Sequence, residues 1–318
     1  MKSSIKAGFL LLVTAALALM SACGGNQAKM VEGKVNVITS FYPLYDFTNK
    51  IGGEHVNVVN LVPTGVEPHD WTPKSSDMKH LSAAQVFVYN GAGLEGWVGN
   101  FLGSLNKNSA LQVVEASKGI DLIRAEEQEG HGEDSGHGHE HEELEFNPHV
   151  WLSPLQAKNM AENIKHALIS ADAAHKSDYE ANFAQLSARL DALHNKFQNT
   201  LGKLPNKNIV VSHDAFAYLA KEYGLKQLPI MGLAPDAEPT AQSMKEIASF
   251  VRQNQVKAIF FEELVSDKVA KALAADTGVK TLLVLNPLEG LTEEQEKSGA
   301  DYFTLMENNL QNLVKGLQ

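Results

Sequence analysis

The sequence predicts an α/β protein of two lobes, each a mainly parallel sheet flanked by helices, joined by a long rigid helix. Short runs rich in β-branched residues alternate with segments of helical period, which is typical of βαβ units and a parallel sheet. This alternation starts twice, at Val35 and again at Ile209. Between the two series lies one long segment with apolar residues spaced by three and four, which predicts an amphipathic helix.

Each series supplies the strands and helices of one lobe. The first series predicts strands at 35–39, 56–62, 86–89 and 111–114 and helices at 42–51, 75–84 and 94–104. The second series predicts strands at 209–212, 257–261 and 281–285, with helices between them and a terminal helix at 302–317.

The connecting segment carries its apolar residues on one face of a helix. These residues are Phe183, Leu186, Leu190, Leu193, Phe197 and Leu201. Pro205 then prevents the helix from continuing. A helical hairpin would give a similar pattern. We expect an N-terminal lobe at 34–172, a linking helix at 173–204 and a C-terminal lobe at 205–318.

Composition narrows the function. The 318 residues include 44% hydrophobic residues, enough to bury a core, and the length suits two domains. The net charge of −11 argues against binding to nucleic acid, which requires a basic surface. A single cysteine excludes a disulfide framework and a thiolate zinc site. The twelve histidines are the unusual feature.

The N-terminus predicts export and lipidation. Lys2 and Lys6 precede an apolar stretch at 7–20, which is too short for a stable membrane anchor but suits a signal peptide at 1–22. Small residues before Cys23 resemble the lipobox of bacterial lipoproteins, in which the cysteine is lipidated. The alternative is a free or buried cysteine after an ordinary signal peptide. Residues 23–33 are then a tether that holds the protein at the outer face of the cytoplasmic membrane.

Three histidines and one glutamate occupy loops next to predicted strands or helices. His69 and His213 follow strands, His149 precedes a helix, and Glu289 again follows a strand. Ligands of open α/β sheets bind beyond the carboxyl ends of the strands, so these loops are expected to converge. Three imidazoles and one carboxylate form a tetrahedral set that suits zinc, whereas calcium and magnesium prefer oxygen ligands.

The other histidines have a plainer interpretation. Five of them lie on helices or in polar stretches and are expected to be solvated: His55, His80, His166, His175 and His194. Asp70 and Asp214 adjoin proposed ligands and are candidates to support them, although helix capping or solvation explains both.

At this point the sequence resembles a known family, the zinc-binding solute receptors of bacterial ABC importers, in a cluster that also contains manganese receptors. The matching stretches are Glu67-Pro68-His69-Asp70-Trp71, Asn147-Pro148-His149-Val150-Trp151-Leu152, Ser212-His213-Asp214-Ala215-Phe216 and Asn286-Pro287-Leu288-Glu289-Gly290. The resemblance implies that His69, His149, His213 and Glu289 hold metal between the lobes. Manganese receptors carry more carboxylates, so His213 favours zinc. The fourth ligand varies in the family between an acid and water.

A histidine-rich segment at 126–145 holds nine acidic residues and no basic one. Its histidines are His131, His137, His139 and His141. Residues 137–141 match the H-x-x-E-H pattern of zinc proteases, but that pattern requires a helix, and the neighbouring glycines disfavour one. Receptors of the family often carry such a loop. We interpret it as an auxiliary tract that captures zinc weakly and passes it inward; the alternative is a solvated acidic loop without a role.

The stretch Gly91-Ala92-Gly93-Leu94-Glu95-Gly96 matches the G-x-G-x-x-G pattern of dinucleotide-binding proteins, with Glu115 nineteen residues beyond it. It follows the third predicted strand rather than the first, and an exported lipoprotein rarely meets NAD. We therefore interpret this stretch as a strand-to-helix turn.

The resemblance implies a monomeric receptor, not an enzyme, that captures Zn²⁺ as its transported ligand and delivers it to the membrane permease of an ABC importer. Alternatives are a manganese receptor, an exported zinc hydrolase with Glu67 or Glu289 as base, and an adhesin in which metal is structural. Protonated imidazole cannot bind metal, so zinc affinity is expected to fall as pH drops through about 6.5.

Overall fold

Two four-stranded parallel sheets with the same strand order form the framework of the protein. The structure is a computed structural model that describes residues 30–106, 109–125, 145–235 and 239–318. The first sheet has the order β2-β1-β3-β4 and contains β1 Val35–Thr39, β2 Val56–Asn60, β3 Val86–Tyr89 and β4 Gln112–Glu115. The second has the order β6-β5-β7-β8 and contains β5 Asn208–Val211, β6 Lys226–Pro229, β7 Ala258–Phe261 and β8 Thr281–Val284.

Helices connect the strands as the predicted βαβ units require. In the first lobe they are α1 Tyr42–Gly52, α2 Ser75–Ala83, α3 Val98–Ser104 and α4 Pro154–Ala171. A long helix, α5 Lys176–Leu201, follows. In the second lobe they are α6 Ala217–Tyr223, α7 Ala241–Gln253, α8 Lys268–Thr277, α9 Glu293–Ser298 and α10 Tyr302–Leu317. The two-lobed α/β fold is confirmed.

The sequence missed one strand, β6. Two of its four residues, Lys226 and Gln227, are polar, and it ends in a proline, which is a weak strand signal. The strand lies at the edge of its sheet, where only one side needs a partner and proline is tolerated. The central strand of the first sheet shows the opposite pattern, because all five residues of β1 are buried.

Helix α3 begins at Val98, four residues later than the sequence predicted. The reason is a turn in which Gly91, Ala92 and Gly93 all have positive φ, so the backbone cannot yet be helical. In this turn the Glu95 carboxylate accepts hydrogen bonds from the backbone N–H groups of Asn90 (2.7 Å) and Gly91 (3.1 Å). A side chain therefore occupies the amides that a pyrophosphate would need, which supports the interpretation as a turn.

The long helix α5 is one continuous element of 26 residues, which excludes the helical hairpin. Its buried face includes Leu186, Leu190, Leu193 and Phe197. The helix packs against α1 and α4 from the first lobe and against α6 and α10 from the second. One hydrophobic core joins residues of both sheets with this face, so the connection is stiff rather than hinge-like. Among the described helices, none has the length and apolar character needed to cross a membrane.

Candidate metal centre

Both lobes contribute to one cluster of metal-ligating side chains at the carboxyl ends of the strands. His69 lies in the loop after β2, and His149 precedes the short turn Val150–Leu152. His213 follows β5, and Glu289 lies in the loop after β8. One ligand atom from each of the four side chains falls within 4.8 Å of all the others. Among the described residues this is the only such group, and it contains the four residues that the sequence singled out.

The four ligand atoms point at one another. His149 Nε2 lies 3.0 Å from Glu289 Oε1 and 3.1 Å from the Nε2 atoms of both His69 and His213. Glu289 Oε1 is 3.3 Å from Nε2 of His69 and 3.3 Å from Nε2 of His213. A tetrahedral zinc ion with ligands at about 2.0–2.1 Å needs ligand atoms about 3.3–3.4 Å apart. Five of the six separations between the ligand atoms therefore lie within a few tenths of an ångström of those that zinc needs, and the sixth, between His69 and His213, is within 4.8 Å.

The cluster is closed to solvent. The side chains of His149 and His213 are 0% exposed, Glu289 is 2% exposed and His69 is 4% exposed. Burying a carboxylate among imidazoles is costly unless opposite charge and hydrogen bonds compensate. Burial of these four groups therefore costs solvation free energy. Such a cost is expected at a site that binds a cation.

Burial and the carboxylates determine where a proton resides in the cluster. Burial disfavours charge on His213, but the carboxylates of Glu262 and Glu289 outweigh it and hold the pKa of His213 well above its ordinary value. Burial would raise the pKa of Glu289, but the positive charge of His213 and the hydrogen bonds that His213 and His69 donate hold it well below its ordinary value. For His149 burial dominates and lowers the pKa to about 3. Burial thus favours a neutral His149, whereas the neighbouring carboxylates favour the charged form of His213 and, less strongly, of His69.

Asn147 orients His149. Its Oδ1 atom lies 2.9 Å from His149 Nδ1 and accepts a hydrogen bond from the His149 backbone N–H at 3.1 Å. Its Nδ2 donates to the backbone carbonyl of Asp214 at 2.7 Å, next to His213 in the other lobe. Asn90 supports the same loop by donating from Nδ2 to the Pro148 carbonyl at 3.0 Å. The loop that carries His149 is thus fixed from both lobes.

Glu262 supports His213, and sequence reasoning missed it. The Glu262 Oε1 atom lies 2.7 Å from His213 Nδ1. Glu262 directly follows the last residue of β7, Phe261, so the strand-exit argument that selected the other site residues also applied to it. The sequence had suggested Asp70 and Asp214 as residues that support the ligands. In the structure Asp70 is exposed, and the Asp214 carboxylate accepts a hydrogen bond from Gln227.

The loop that carries Glu289 has a strained backbone. Leu288 has a φ of +59°, the left-handed region that is unfavourable for a branched residue. Asn286 holds this turn by accepting the Leu288 backbone N–H at Oδ1 (2.7 Å). The indole Nε1 of Trp151 donates to the Pro287 carbonyl at 2.7 Å, which ties this loop to the segment that follows His149. Several groups thus determine where the Glu289 carboxylate points.

Glu67 lies at the edge of the cluster. Both oxygens of its carboxylate accept the His69 backbone N–H at 3.1 Å, and one lies 4.0 Å from His69 Nε2. Burial raises the pKa of Glu67 to about 7, although His69 opposes the shift. Its carboxylate is already engaged with the backbone of the loop that it stabilises.

The other predicted residues lie elsewhere. His55 and His175 stack on each other with ring centroids 3.8 Å apart, and each contacts an aspartate. His166 is exposed, and His194 contacts the Tyr223 hydroxyl. Cys23 and the histidines of the loop at 126–145, His131, His137, His139 and His141, lie outside the described residues.

Two α/β lobes on a rigid helix, with a cluster of three histidines and a glutamate between them, define the metal-receptor type of solute-binding protein. The sequence matches the family described as zinc-uptake complex component A, periplasmic (ZnuA), over residues 37–316. This chain belongs to that family.

Two relatives show how far the likeness extends. The high-affinity zinc uptake system protein ZnuA of Bacillus subtilis (strain 168) is 42% identical over 312 residues, which cover 97% of each chain. The zinc-binding lipoprotein AdcA of Streptococcus pneumoniae serotype 4 is 40% identical over 306 residues, which cover 95% of this chain. The chain spans only 60% of the length of AdcA, so the likeness concerns one part of that protein.

Solved structures agree with the fold. The Zn(II)-bound ZnuA-like domain of Streptococcus pneumoniae AdcA superposes with a TM-score of 0.76 at 36% identity, covering 90% of this chain and 99% of that domain. The laminin-binding protein Lmb of Streptococcus agalactiae, described as a bifunctional protein with adhesin and metal transporting activity, gives a TM-score of 0.78 at 32% identity. The superposition covers 90% of this chain and all of Lmb.

Proposed function

We propose that this protein is an extracytoplasmic high-affinity zinc receptor that captures Zn²⁺ between its two lobes and delivers it to the membrane permease of an ABC importer. The observation that carries this proposal is the buried cluster of His69, His149, His213 and Glu289. Five of the six separations between its ligand atoms are 3.0–3.3 Å, close to those around a tetrahedral zinc ion. Membership of the zinc-uptake family and the names of the relatives support zinc as the cargo.

The composition of the cluster favours zinc over manganese. Imidazole nitrogens are good ligands for zinc, whereas manganese prefers carboxylate and water oxygens and a larger coordination number. Here three nitrogens face a single carboxylate, Glu289, within a small closed space. We propose that Glu289, rather than water, is the fourth ligand.

The same geometry favours binding over catalysis. A catalytic zinc site keeps one position open for water or substrate. Glu289 contacts all three histidines, so its carboxylate is placed as a ligand rather than as a free base. The Glu67 carboxylate is held by the His69 backbone. We therefore propose that the protein has no enzymatic activity.

The assignment is tested by titrating metal-free protein with zinc against a chromophoric chelator. We expect a large loss of zinc affinity in each of four variants: His69→Ala, His149→Ala, His213→Ala and Glu289→Gln. Loss of a residue that only hydrogen-bonds to a metal ligand weakens binding by about 10- to 100-fold, and loss of a ligand itself should weaken it further. His166→Ala removes an exposed histidine and serves as the control, with unchanged affinity expected. Unchanged affinity in all four cluster variants would remove the basis of the proposal.

The same titration distinguishes zinc from manganese. Manganese is added in excess to the zinc-loaded wild-type protein, and bound zinc is measured after equilibration. Retention of zinc is expected, because three nitrogen ligands favour zinc. Displacement at comparable concentrations would identify a manganese receptor instead.

The location of the receptor follows from its N-terminus. We propose a signal peptide at 1–22, lipidation of Cys23 and a tether at 23–33, with a monomeric body divided at 34–172, 173–204 and 205–318. The family is described as periplasmic, and AdcA is named a lipoprotein, which supports this location. Cys23→Ala is expected to move the protein from the membrane fraction to the soluble fraction, without a change in its zinc affinity.

We further propose that His131, His137, His139 and His141 form an auxiliary capture loop. Nine acidic residues surround them at 126–145 and would concentrate cations near the receptor. Replacing the four histidines by asparagine is expected to leave the affinity of the central site unchanged and to lower the rate of loading at scarce zinc. An equal loss of affinity would show that the loop ligates the central ion.

Adhesion is the second candidate function, because Lmb is described as both adhesin and metal transporter. Binding of the purified protein to laminin is the direct test. His213→Ala separates the two functions, since loss of zinc without loss of laminin binding would show that adhesion does not use the metal site.

A further inference from the structure

We propose that Glu262 is a positioning residue for zinc: it holds His213 with Nε2 turned toward the other ligands and supplies the second negative charge that balances the cation. This inference rests on the proposed function, because it assumes that His213 binds zinc. Glu262 itself does not join the group of four ligand atoms.

The contacts of Glu262 fix the orientation of the His213 ring. One oxygen, Oε1, lies 2.7 Å from the ring Nδ1 and 3.3 Å from the His213 backbone nitrogen, which donates to it. An ionised carboxylate only accepts hydrogen bonds, so its pairing with Nδ1 places the ring hydrogen on Nδ1. The remaining ring nitrogen, Nε2, then faces His149 at 3.1 Å and Glu289 at 3.3 Å. Zinc binding requires its lone pair at this position.

The equivalent position next to His149 holds a neutral group. There the oxygen near Nδ1 belongs to the side-chain amide of Asn147, at 2.9 Å. Only one of these two buried histidines therefore faces a carboxylate through Nδ1. A carboxylate partner makes imidazole a stronger ligand than an amide partner does. Together, Glu262 and Glu289 bring two negative charges to a closed site, which matches the charge of one zinc ion.

The second carboxylate oxygen of Glu262 lowers the stability of the fold, which indicates that this residue has a role other than stabilising the protein. Glu262 is 3% exposed, and its Oε2 is buried with no hydrogen-bond partner among the described residues. Burying a carboxylate oxygen without a partner destabilises a protein. A cation at the ligand cluster, one imidazole away, compensates for this cost. In a protein that bound no cation here, a neutral residue of similar size would give a more stable fold than Glu262 does.

A double-mutant cycle with Glu262→Gln and His213→Ala tests whether Glu262 acts through His213. Glutamine keeps an oxygen acceptor and nearly the same volume but removes the charge. In the wild-type background Glu262→Gln is expected to weaken zinc binding by about 10- to 100-fold. In the His213→Ala background the same substitution is expected to change the affinity by less than about twofold, since the histidine that it acts through is absent.

Glu246→Gln is the control. It removes an exposed carboxylate on α7, which accepts a hydrogen bond from Gln242 and does not contact a residue of the metal cluster. Its zinc affinity is expected to stay within about twofold of the wild-type value, because no ring depends on it. Unfolding of each metal-free variant in urea shows whether it folds. Where Glu262→Gln does not fold, Glu262→Asp takes its place, since it keeps the charge but retracts the oxygen from Nδ1.

Nitrogen NMR of the His213 ring distinguishes a positioning role of Glu262 from a role in protein stability alone, because a loss of stability alone would not change the ring's chemical shifts. In zinc-loaded wild-type protein the His213 ring is expected to show a protonated Nδ1 with a strongly downfield proton, which shifts upfield in Glu262→Gln as the hydrogen bond loses its charge. An equal loss of affinity from Glu262→Gln in both backgrounds, or no loss in either, would overturn this inference. Unchanged affinity in His213→Ala alone would instead refute the site assigned under the proposed function.

Discussion

The Nε2 atoms of His149 and His213 lie 3.1 Å apart, one from each lobe. When no cation lies between them, a proton on one of the two nitrogens relieves the repulsion between their lone pairs. The pKa of His149 is lowered to about 3 by burial, whereas Glu262 and Glu289 overcome burial and hold the pKa of His213 well above its ordinary value. These shifts favour a proton on His213 rather than on His149, at the position where zinc would bind. The pKa of His69 is raised as well, so a proton is also favoured there.

Zinc binding is expected to release at least one proton near neutral pH, because zinc displaces the proton from His213 Nε2 and any proton on His69, whose pKa is also raised. Isothermal titration calorimetry in buffers of different ionisation enthalpy measures this number directly. Since the pKa of His213 is raised well above its ordinary value and that of His69 is also raised, the apparent zinc affinity should decrease by at least about tenfold for each unit that the pH falls. This decrease should begin above the ordinary histidine range. A binding heat that does not depend on the buffer would contradict this placement of the proton.

This pH dependence refines the one expected from the sequence alone. An isolated histidine would lose zinc as pH falls through about 6.5. Because His213 lies between two carboxylates, proton and zinc compete for it already at higher pH. A control comes from Glu262→Gln, which removes one of these carboxylates and should shift the onset of proton competition to lower pH.

The metal-free protein is expected to lose stability in acid because of His149. Its folded pKa of about 3 lies below the unfolded value of about 6.5, so the unfolded chain binds more protons between these values. Stability therefore decreases as pH falls through this window, by at most about 1.4 kcal/mol per pH unit from this one residue. Urea unfolding at several pH values between about 7 and 4 measures the decrease.

His149→Gln isolates this contribution, since glutamine cannot take up a proton and also keeps a polar group near Asn147. The difference in unfolding free energy between the wild-type protein and this variant should change with pH inside the window and remain constant above it. Parallel pH profiles for the two proteins would show that His149 does not titrate on unfolding.

Much of the fold could be predicted because its strands are buried and its helices amphipathic. All five residues of β1 are buried and four of them are β-branched, so its bounds were predicted correctly. The edge strand β6 carries polar residues and a proline, because one of its sides needs no partner. The start of α3 was misplaced because the carboxylate of Glu95 stabilises a turn there through hydrogen bonds that residue type does not reveal.

For the site, too, local sequence was enough to predict some residues, whereas others depend on contacts in the folded protein. His69, His149, His213 and Glu289 could be selected because each lies in a loop at the strand ends, and such loops converge in parallel sheets. The supporting groups depend on orientation across the lobes. Asn147 binds the carbonyl of Asp214, which lies 67 residues away, and no local pattern specifies this pairing. Glu262 is the exception, because its position after β7 was a usable signal.

Zinc is expected to stabilise the protein, and its removal by a chelator to reverse the effect. At a free zinc concentration about 1,000 times the dissociation constant, the free energy of unfolding should increase by about 4 kcal/mol. Thermal unfolding with buffered zinc and with excess chelator measures the difference. Glu289→Gln removes the only carboxylate among the four proposed ligands and should abolish most of this gain. Equal stabilisation of the wild-type protein and this variant would place zinc elsewhere.

Trp151 is expected to link stability to zinc binding. Its indole donates to the Pro287 carbonyl at 2.7 Å, two residues before Glu289, and its ring packs edge-on against Phe41. Trp151→Phe leaves that buried carbonyl without its donor, which should cost about 1–3 kcal/mol, and releases the loop that carries Glu289. Zinc affinity should therefore fall together with stability, as measured by urea unfolding and chelator competition.

Tyr302→Phe is the matched control for this prediction, because the Tyr302 hydroxyl donates to the Trp151 carbonyl at 2.7 Å but does not reach the loop of Glu289. This variant also loses one buried hydrogen bond, so its stability should decrease by a similar amount, about 1–3 kcal/mol. Its zinc affinity should stay near the wild-type value. If both variants lost zinc affinity in proportion to stability, the effect of Trp151→Phe would reflect general loosening of the fold, and the indole would not be a specific support of the Glu289 loop.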